Sequence, residues 1–334
     1  MEKLLKSLIN DEKKSAGKLY SAGSYWDYKN LKTIHQIKKN GISNFRGYNT
    51  GVGTSFTDNL IIDIRNELNF KGRLAASLFS LPIIKKIFIS QLHLTKNLMD
   101  KYVDILSSLY EKNPKTKELI EKYKFEKTTE FECVQKINFE GKEISINYLE
   151  MANRINNFSN IFKFNNINSF FEIGGGFGSN VHFIITNFPN IKKVIYLDIV
   201  PNIYIGTEYL RYFYKKQVID YSNLKDVDKI KFSDNNELEI LCIPPWLIER
   251  LDVQIDHFHN ASSFVEMPEE IISNYCTYIK KFNAKNISLI SYDYFDPKTT
   301  INPEKLNNYF QNKLKVKYLP TLIGNKKELY FSSK

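Results

Sequence analysis

Three cysteines in 334 residues, Cys133, Cys242 and Cys276, lie too far apart to form a C-x-x-C pair. Neither a zinc site nor a dithiol redox motif is therefore encoded, and an odd, sparse set of thiols fits a reducing compartment. Long apolar runs are missing too. The longest, residues 74–90, is cut by Pro82, Lys85 and Lys86, whereas a spanning helix needs about 20 mostly apolar residues. The first ten residues, Met1-Glu-Lys-Leu-Leu-Lys-Ser-Leu-Ile-Asn10, are too polar for the apolar core of a signal peptide. A cytoplasmic protein without a membrane span is expected. No close set of His, Asp and Glu has metal-ligand spacing, so no metal is expected. Long basic runs are also lacking, although the net charge is +10 and residues 1–150 hold 25 Lys/Arg against 18 Asp/Glu. No nucleic-acid recognition motif accompanies that charge, so a nucleic acid is not the expected partner. An anionic small substrate would feel the same bias at long range. Nothing in the pattern fixes an oligomeric state.

What is present changes character near residue 145. Before it, helical periods dominate. Tyr28, Leu31, Ile34 and Ile37 are spaced for one face of a helix over 25–39, stopped by Gly41. A glycine-rich loop follows over 41–53, and Thr57-Asp58 reads as the cap of a helix over 59–68. Residues 82–111 read as one or two helices, Pro114 starts another, and 132–146 reads as a hairpin turning at Glu140-Gly141. After it, apolar strands at 169–173, 193–198, 238–243, 255–260 and 287–292 alternate with helices at 179–187, 204–215, 245–251 and 268–282. That alternation predicts a parallel sheet covered on both faces, whose ligand site lies beyond the carboxyl ends of its strands. A hairpin around Gly324-Asn325 closes the chain. The division expected is a mainly helical region, 1–144, that supplies an acceptor site or lid, and a cofactor-binding domain, 145–334.

The strongest local signal is Ser169-Phe-Phe-Glu-Ile-Gly-Gly-Gly-Phe-Gly-Ser179. A strand feeds into glycines and a helix follows, so the backbone can turn sharply and approach a ligand. A dinucleotide loop wants G-x-G-x-x-G, but the sixth position counted from Gly174 is Ser179. The pattern E-x-G-x-G-x-G instead resembles motif I of the class I S-adenosylmethionine-dependent methyltransferases. That ligand carries an ammonium and a sulfonium rather than a pyrophosphate, so Glu172 beside Gly174, Gly175, Gly176 and Gly178 makes electrostatic sense. Asp198 ends the next strand, where it can accept from both hydroxyls of a ribose, with Ile199 beside it. The third strand would bring Ile243 and Pro244 to the adenine.

Further runs, Asp198-Ile-Val-Pro-Asn-Ile-Tyr-Ile-Gly-Thr-Glu-Tyr-Leu210, Ile243-Pro-Pro-Trp246 and Ile255-Asp-His-Phe-His-Asn-Ala-Ser-Ser-Phe-Val-Glu-Met267, resemble the sugar O-methyltransferase family within that class. The likeness covers about residues 145–295, and the N-terminal part only loosely, through Asn44-Phe45-Arg46. It departs at Val200, where a second proline is expected. It implies a Rossmann-like class I methyltransferase sheet with S-adenosyl-L-methionine as cofactor. It also implies a sugar, nucleotide sugar or glycan as acceptor, in surface-polysaccharide or nucleotide-sugar modification. A catalytically silent binding or scaffold protein on the same fold, and a nicotinamide-dependent oxidoreductase, are the alternatives.

Methyl transfer to a sugar hydroxyl is helped by a general base within reach of the leaving proton. The run at the fourth strand supplies candidates. Glu266 is the first choice, its competing role being to stabilise a helix start beside Pro268. His259 is the second, with a structural histidine as its competing role. Asn260 is placed with the cofactor and Ser263 with the acceptor. His182 reads as packing or cofactor edge, and Asp293 ends the fifth strand. Arg46 is suited to a phosphate or carboxylate, or alternatively to holding its loop to the body. Tyr48 is suited to stacking on a sugar face.

Overall fold

The computed structural model describes residues 3–15, 17–47, 92–292, 301–323 and 327–333. The expected helix over 59–68, the loop beyond Gly47 with Tyr48, the start of 82–111, Asp293 and the Gly324-Asn325 turn lie outside the described residues.

A two-stranded hairpin, β1 (Lys136–Phe139) and β2 (Lys142–Ser145), turns at Glu140-Gly141. The main sheet holds β3 (Ser169–Ile173), β4 (Lys193–Leu197), β5 (Val218–Ile219), β6 (Glu239–Ile243), β7 (His257–Ala261), β8 (Asn286–Tyr292), β9 (Lys315–Pro320) and β10 (Lys327–Ser332). Its order is β5-β6-β4-β3-β7-β8-β10-β9. All pairs from β5 to β8 are parallel, and β10 runs antiparallel to both β8 and β9. This is the expected Rossmann-like α/β sheet, mainly parallel. Sequence order departs in both directions from β3, so the switch point lies there. β3, β4 and β6 are buried throughout, as a sheet with both faces covered requires. Their last residues, Ile173, Leu197 and Ile243, are level in the register, so the three strands deliver their following loops to one edge.

Helices follow the strands closely. Ser179–Asn187 leaves the glycine loop directly, Asn202–Tyr214 follows β4, and Glu269–Lys281 follows β7. The segment expected as a helix over 245–251 is a 3-10 turn, Pro245–Arg250. Before the sheet, Leu92–Lys112 and Pro114–Lys122 are helical, the latter capped by Asn113 accepting from the Lys115 N–H at 2.9 Å. Two helices went unpredicted, Lys3–Ser15 and Ile146–Ser159. The second is buried nearly all round, from Tyr148 and Leu149 to Ile155 and Phe158, so it shows no amphipathic stripe to read. Among the described residues no helix is long and apolar enough to cross a membrane.

The helix Ser24–Asn40 corrects one expectation. It ends at Gly41 as predicted, with φ 68° and its N–H on the Ile37 carbonyl. Its orientation differs. Leu31 is 69% exposed, while Asn30, Thr33 and Ile37 are buried. Tertiary anchors at both ends set that rotation. Gly23 packs so tightly on Pro268 that an added Cβ would sit 2.9 Å from the ring Cδ. Beyond the other end, Phe45 meets the Phe177 ring edge-on with centroids 5.4 Å apart. Leu4, Leu5, Leu8 and Phe45 share one core with the sheet residues.

Candidate active site

The site is built around the turn that leaves β3. The Gly174 N–H donates to the Leu197 carbonyl at 2.8 Å, tying the loop to the end of β4. Gly174 has φ 72°, and an added Cβ would lie 2.1 Å from the Ser263 Oγ. Gly178, at φ 83°, is the N-cap of Ser179–Asn187. Conformation disfavours a side chain at both positions, and at Gly174 space excludes one as well. At Gly175 a Cβ would meet the Glu172 Oε2 at 2.5 Å, so this backbone lies directly over a carboxylate. The Gly176 N–H donates to Asp198 Oδ2 at 2.8 Å, and its carbonyl accepts from the Tyr196 hydroxyl at 2.5 Å. Tyr196 also reaches the Asn202 carbonyl at 3.1 Å.

Acidic groups crowd beneath and beside this loop. Glu172 is buried; its Oε1 accepts from Asn180 at 2.8 Å, and its Oε2 has no partner among the described residues. Burial pushes its carboxyl up to about 8, with the nearby charge of Asp198 adding to the rise and the Asn180 bond opposing it. Asp198 is buried as well, accepting from the Gly176 N–H and, through Oδ1 at 2.7 Å, from the Ile199 N–H. Burial raises it to about 7 despite those bonds, and the charge of Glu266 contributes. Asn202 adds a side-chain hydrogen bond to Asp198, and a carboxylate has about four lone-pair sites, which leaves room for a hydroxyl donor. Glu266 is half-buried at the end of the 3-10 turn Phe264–Glu266, just past β7. Its charge also acts on Lys29, whose ammonium is pushed down by burial and supported by Glu266. The first turn of Glu269–Lys281 has its own acids, Glu269 and Glu270.

Raised carboxyls, one unpartnered buried oxygen and a loop of backbone too close for side chains form a cradle suited to a cationic ligand. Ile199 is half-buried at its rim, and Ile243 and Pro244 are buried at the end of β6 beside it. Other expected residues have different work. Asn260 donates to the Ile173 carbonyl at 2.8 Å and to Ser263 at 2.5 Å, and accepts from the Phe264 N–H at 3.2 Å. It locks the ends of β3 and β7, with its amide nitrogen and one lone pair of its oxygen already engaged. Ser263 donates to the Ile173 carbonyl at 3.1 Å and packs against Gly174, so it secures the loop rather than an acceptor.

His259 is corrected as a base. It lies inside the core, sharing the Ser288 hydroxyl with His257 at 2.7 Å each and packed on Phe158 and Phe170. Burial drives its pKa down to about 3, with Arg154 adding to the fall. His182 is equally interior, bonded to the Tyr148 hydroxyl at 2.6 Å and stacked on Phe213.

Arg46 is corrected as an anion site. It is 0% exposed and donates to the carbonyls of Thr128 (2.7 Å) and Glu130 (3.0 Å), to Ser145 Oγ (2.9 Å) and to Cys133 Sγ (3.1 Å). Its guanidinium also faces the Phe177 ring at 5.2 Å, so it clamps the N-terminal region to the glycine loop. Arg46→Met is expected to cost about 3 kcal/mol of folding stability, because several buried acceptors lose a charged donor together. Urea unfolding measures this. An unchanged midpoint with impaired acceptor binding would return Arg46 to the substrate.

Sequence reading missed Tyr196, Asn180 and Lys29. A signal existed for Tyr196, since strand alternation places it on the same face as Asp198 and, by register, beside Glu172. Among the described residues no group of three or more His, Cys, Asp or Glu is placed to hold a metal ion.

No family model and no curated protein matches the chain. Solved structures do resemble it. A mitomycin 7-O-methyltransferase is 12% identical with TM-score 0.36, over 56% of this chain and 57% of that one. Human N-acetylserotonin methyltransferase, solved in complex with SAM, is 9% identical with TM-score 0.34, over 56% of each chain. A SAM-dependent methyltransferase from Aquifex aeolicus is 14% identical with TM-score 0.32, over 53% of this chain and 89% of that one. The matched region spans little more than half the length of the first two. The chemistry of the site rests on its own residues.

Proposed function

We propose that this chain is an S-adenosyl-L-methionine-dependent O-methyltransferase whose acceptor is a sugar hydroxyl, on a nucleotide sugar or glycan. The observation that carries the cofactor is the cradle of Glu172, Asp198 and the glycine backbone. Burial, with the neighbouring charges of Asp198 on Glu172 and of Glu266 on Asp198, raises the cost of ionising Glu172 and Asp198, and a cationic ligand relieves it. A pyrophosphate would worsen it, which disfavours a dinucleotide. In this reading Asp198 accepts from ribose hydroxyls, the Gly174–Gly178 backbone encloses the amino-acid end, and Ile199, Ile243 and Pro244 border the adenine. The cofactor supplies an electrophilic methyl group on a sulfonium.

The protein's own contribution is alignment and proton removal. Holding two reactants in line converts an encounter into a near-unimolecular step. Glu266, beyond β7 and opposed to Lys29, takes the acceptor hydroxyl proton. Residues 1–144 bring helix Ser24–Asn40 over the acceptor, and residues 145–334 hold the cofactor. The sugar acceptor follows from the run Asn260-Ala-Ser-Ser-Phe-Val-Glu-Met267 and its resemblance. A cytoplasmic setting with buried, reduced thiols is part of the same proposal.

Thermal shift tests it: S-adenosylhomocysteine is expected to raise the melting temperature and NAD to leave it unchanged. The reverse order would replace this reading with an oxidoreductase.

A further inference from the structure

Helix Ser24–Asn40 is flanked by residues that pack on segments leaving the carboxyl ends of β7 and β3. Gly23 rests on Pro268 at one end, and Phe45, past the other end, rests on Phe177 of the glycine loop. Seventeen residues of helix reach about 25 Å, enough to roof the space between those anchors. Lys29 faces the charge of Glu266 partway along.

The roof is polar where a helix face turned to a protein interior is ordinarily apolar. Asn30 is 8% exposed and Thr33 is 1% exposed, while Leu31 points to solvent. The Asn30 Oδ1 and Thr33 Oγ1 are buried without a hydrogen-bond partner among the described residues. Such atoms are costly to bury and rare in folded proteins. Two of them one turn apart, on the stripe that also carries Lys29, indicate groups kept for a ligand. Their chemistry selects its class. The Asn30 amide oxygen only accepts and so disfavours a phosphate or carboxylate, while the Thr33 hydroxyl both donates and accepts, and the pair together suits neighbouring hydroxyls.

We propose that Asn30 and Thr33 form a recognition shelf for neighbouring hydroxyls of a polyhydroxylated acceptor, opposite the glycine loop. The proposal rests on the methyltransferase reading, which puts the acceptor between Glu266 and this helix. It adds residues that set specificity, on a helix whose sequence reads as ordinary packing.

The test uses the full chain loaded with S-adenosylhomocysteine, with methyl glycosides of glucose, galactose, mannose and rhamnose as probes in saturation-transfer NMR. At least one glycoside is expected to bind the wild type. Thr33→Val and Asn30→Leu should each weaken it by about five- to tenfold, the scale of one neutral hydrogen bond. S-adenosylhomocysteine affinity should not change in either. Thr33→Val should also keep or raise the melting temperature, because a hydroxyl without a partner among the described residues is replaced by a methyl of the same shape. A structural threonine would instead lose stability on that change, and this result would overturn the shelf. So would wild type binding no glycoside, variants binding as wild type, or variants losing the cofactor product. Failure of the wild type to bind S-adenosylhomocysteine would remove the methyltransferase reading itself, and the shelf with it.

Discussion

Glu266→Gln is expected to slow single-turnover methyl transfer by about 10²–10⁴-fold while S-adenosylhomocysteine affinity stays near wild type. Glutamine keeps the shape and much of the hydrogen bonding but takes no proton. The acidic limb of the pH–rate profile, which reports ionisation of this carboxylate, should disappear with it. The position supports the role. Glu266 lies past the end of β7, close enough to Asp198 and Lys29 to act on both, while Glu269 and Glu270 occupy the following helix start. His259→Gln is the control. Its ring is enclosed by Phe158, Phe170 and Ser288, so that variant should lose stability rather than its proton-transfer step. A fully active Glu266→Gln enzyme would remove Glu266 from the chemistry.

Asp198→Ala should weaken cofactor binding by about 30–1,000-fold, equivalent to about 2–4 kcal/mol. Two effects combine. The ribose hydroxyls lose a charged acceptor, and the N–H groups of Gly176 and Ile199 lose the carboxylate that positions them. Asp198→Asn should rescue little, because its amide nitrogen would face one of those N–H donors. Folding stability should move far less than affinity, since removing a buried carboxyl beside Glu172 and Glu266 also relieves repulsion. Calorimetry beside thermal melting separates the two. Unchanged affinity in Asp198→Ala would take Asp198 out of the cofactor site.

Legibility followed periodicity. β3 and the helix Ser179–Asn187 have the bounds their sequence predicts, because an apolar run, a glycine turn and a helical pattern adjoin without ambiguity. The cradle residues Glu172 and Asp198 were legible for the same reason: strand ends are fixed by the pattern, and the site lies at strand ends. Roles set by three-dimensional neighbours were not. Nothing local tells an arginine that binds substrate from Arg46, whose partners lie 82 to 99 residues away. Alternation paired His257 with His259 correctly, but not the depth at which Ser288 joins them. The helix Ser24–Asn40 is the sharpest case. Its apolar spacing pointed Leu31 inward, and the anchors at Pro268 and Phe177 turned Asn30 and Thr33 inward instead. A fold tolerates such a conflict between pattern and burial chiefly where function demands it.

Proton linkage at the cradle tests the central claim most directly. Without ligand, Glu172 and Asp198 hold protons up to about pH 8 and about pH 7, above the ordinary carboxylate range. At these two groups the folded chain binds more protons than the unfolded one between about pH 4 and 8, so their contribution to stability falls as pH rises through that window. A cation in the cradle favours the ionised carboxyls and expels those protons. Titrating S-adenosylmethionine into the protein at pH 7, in buffers of different ionisation enthalpy, should therefore show release of about one proton per site. S-adenosylhomocysteine, lacking the sulfonium charge, should release fewer, and the release should fade at alkaline pH, where both groups are already ionised. Binding without proton release, or with uptake, would contradict a cationic cofactor over Glu172 and Asp198.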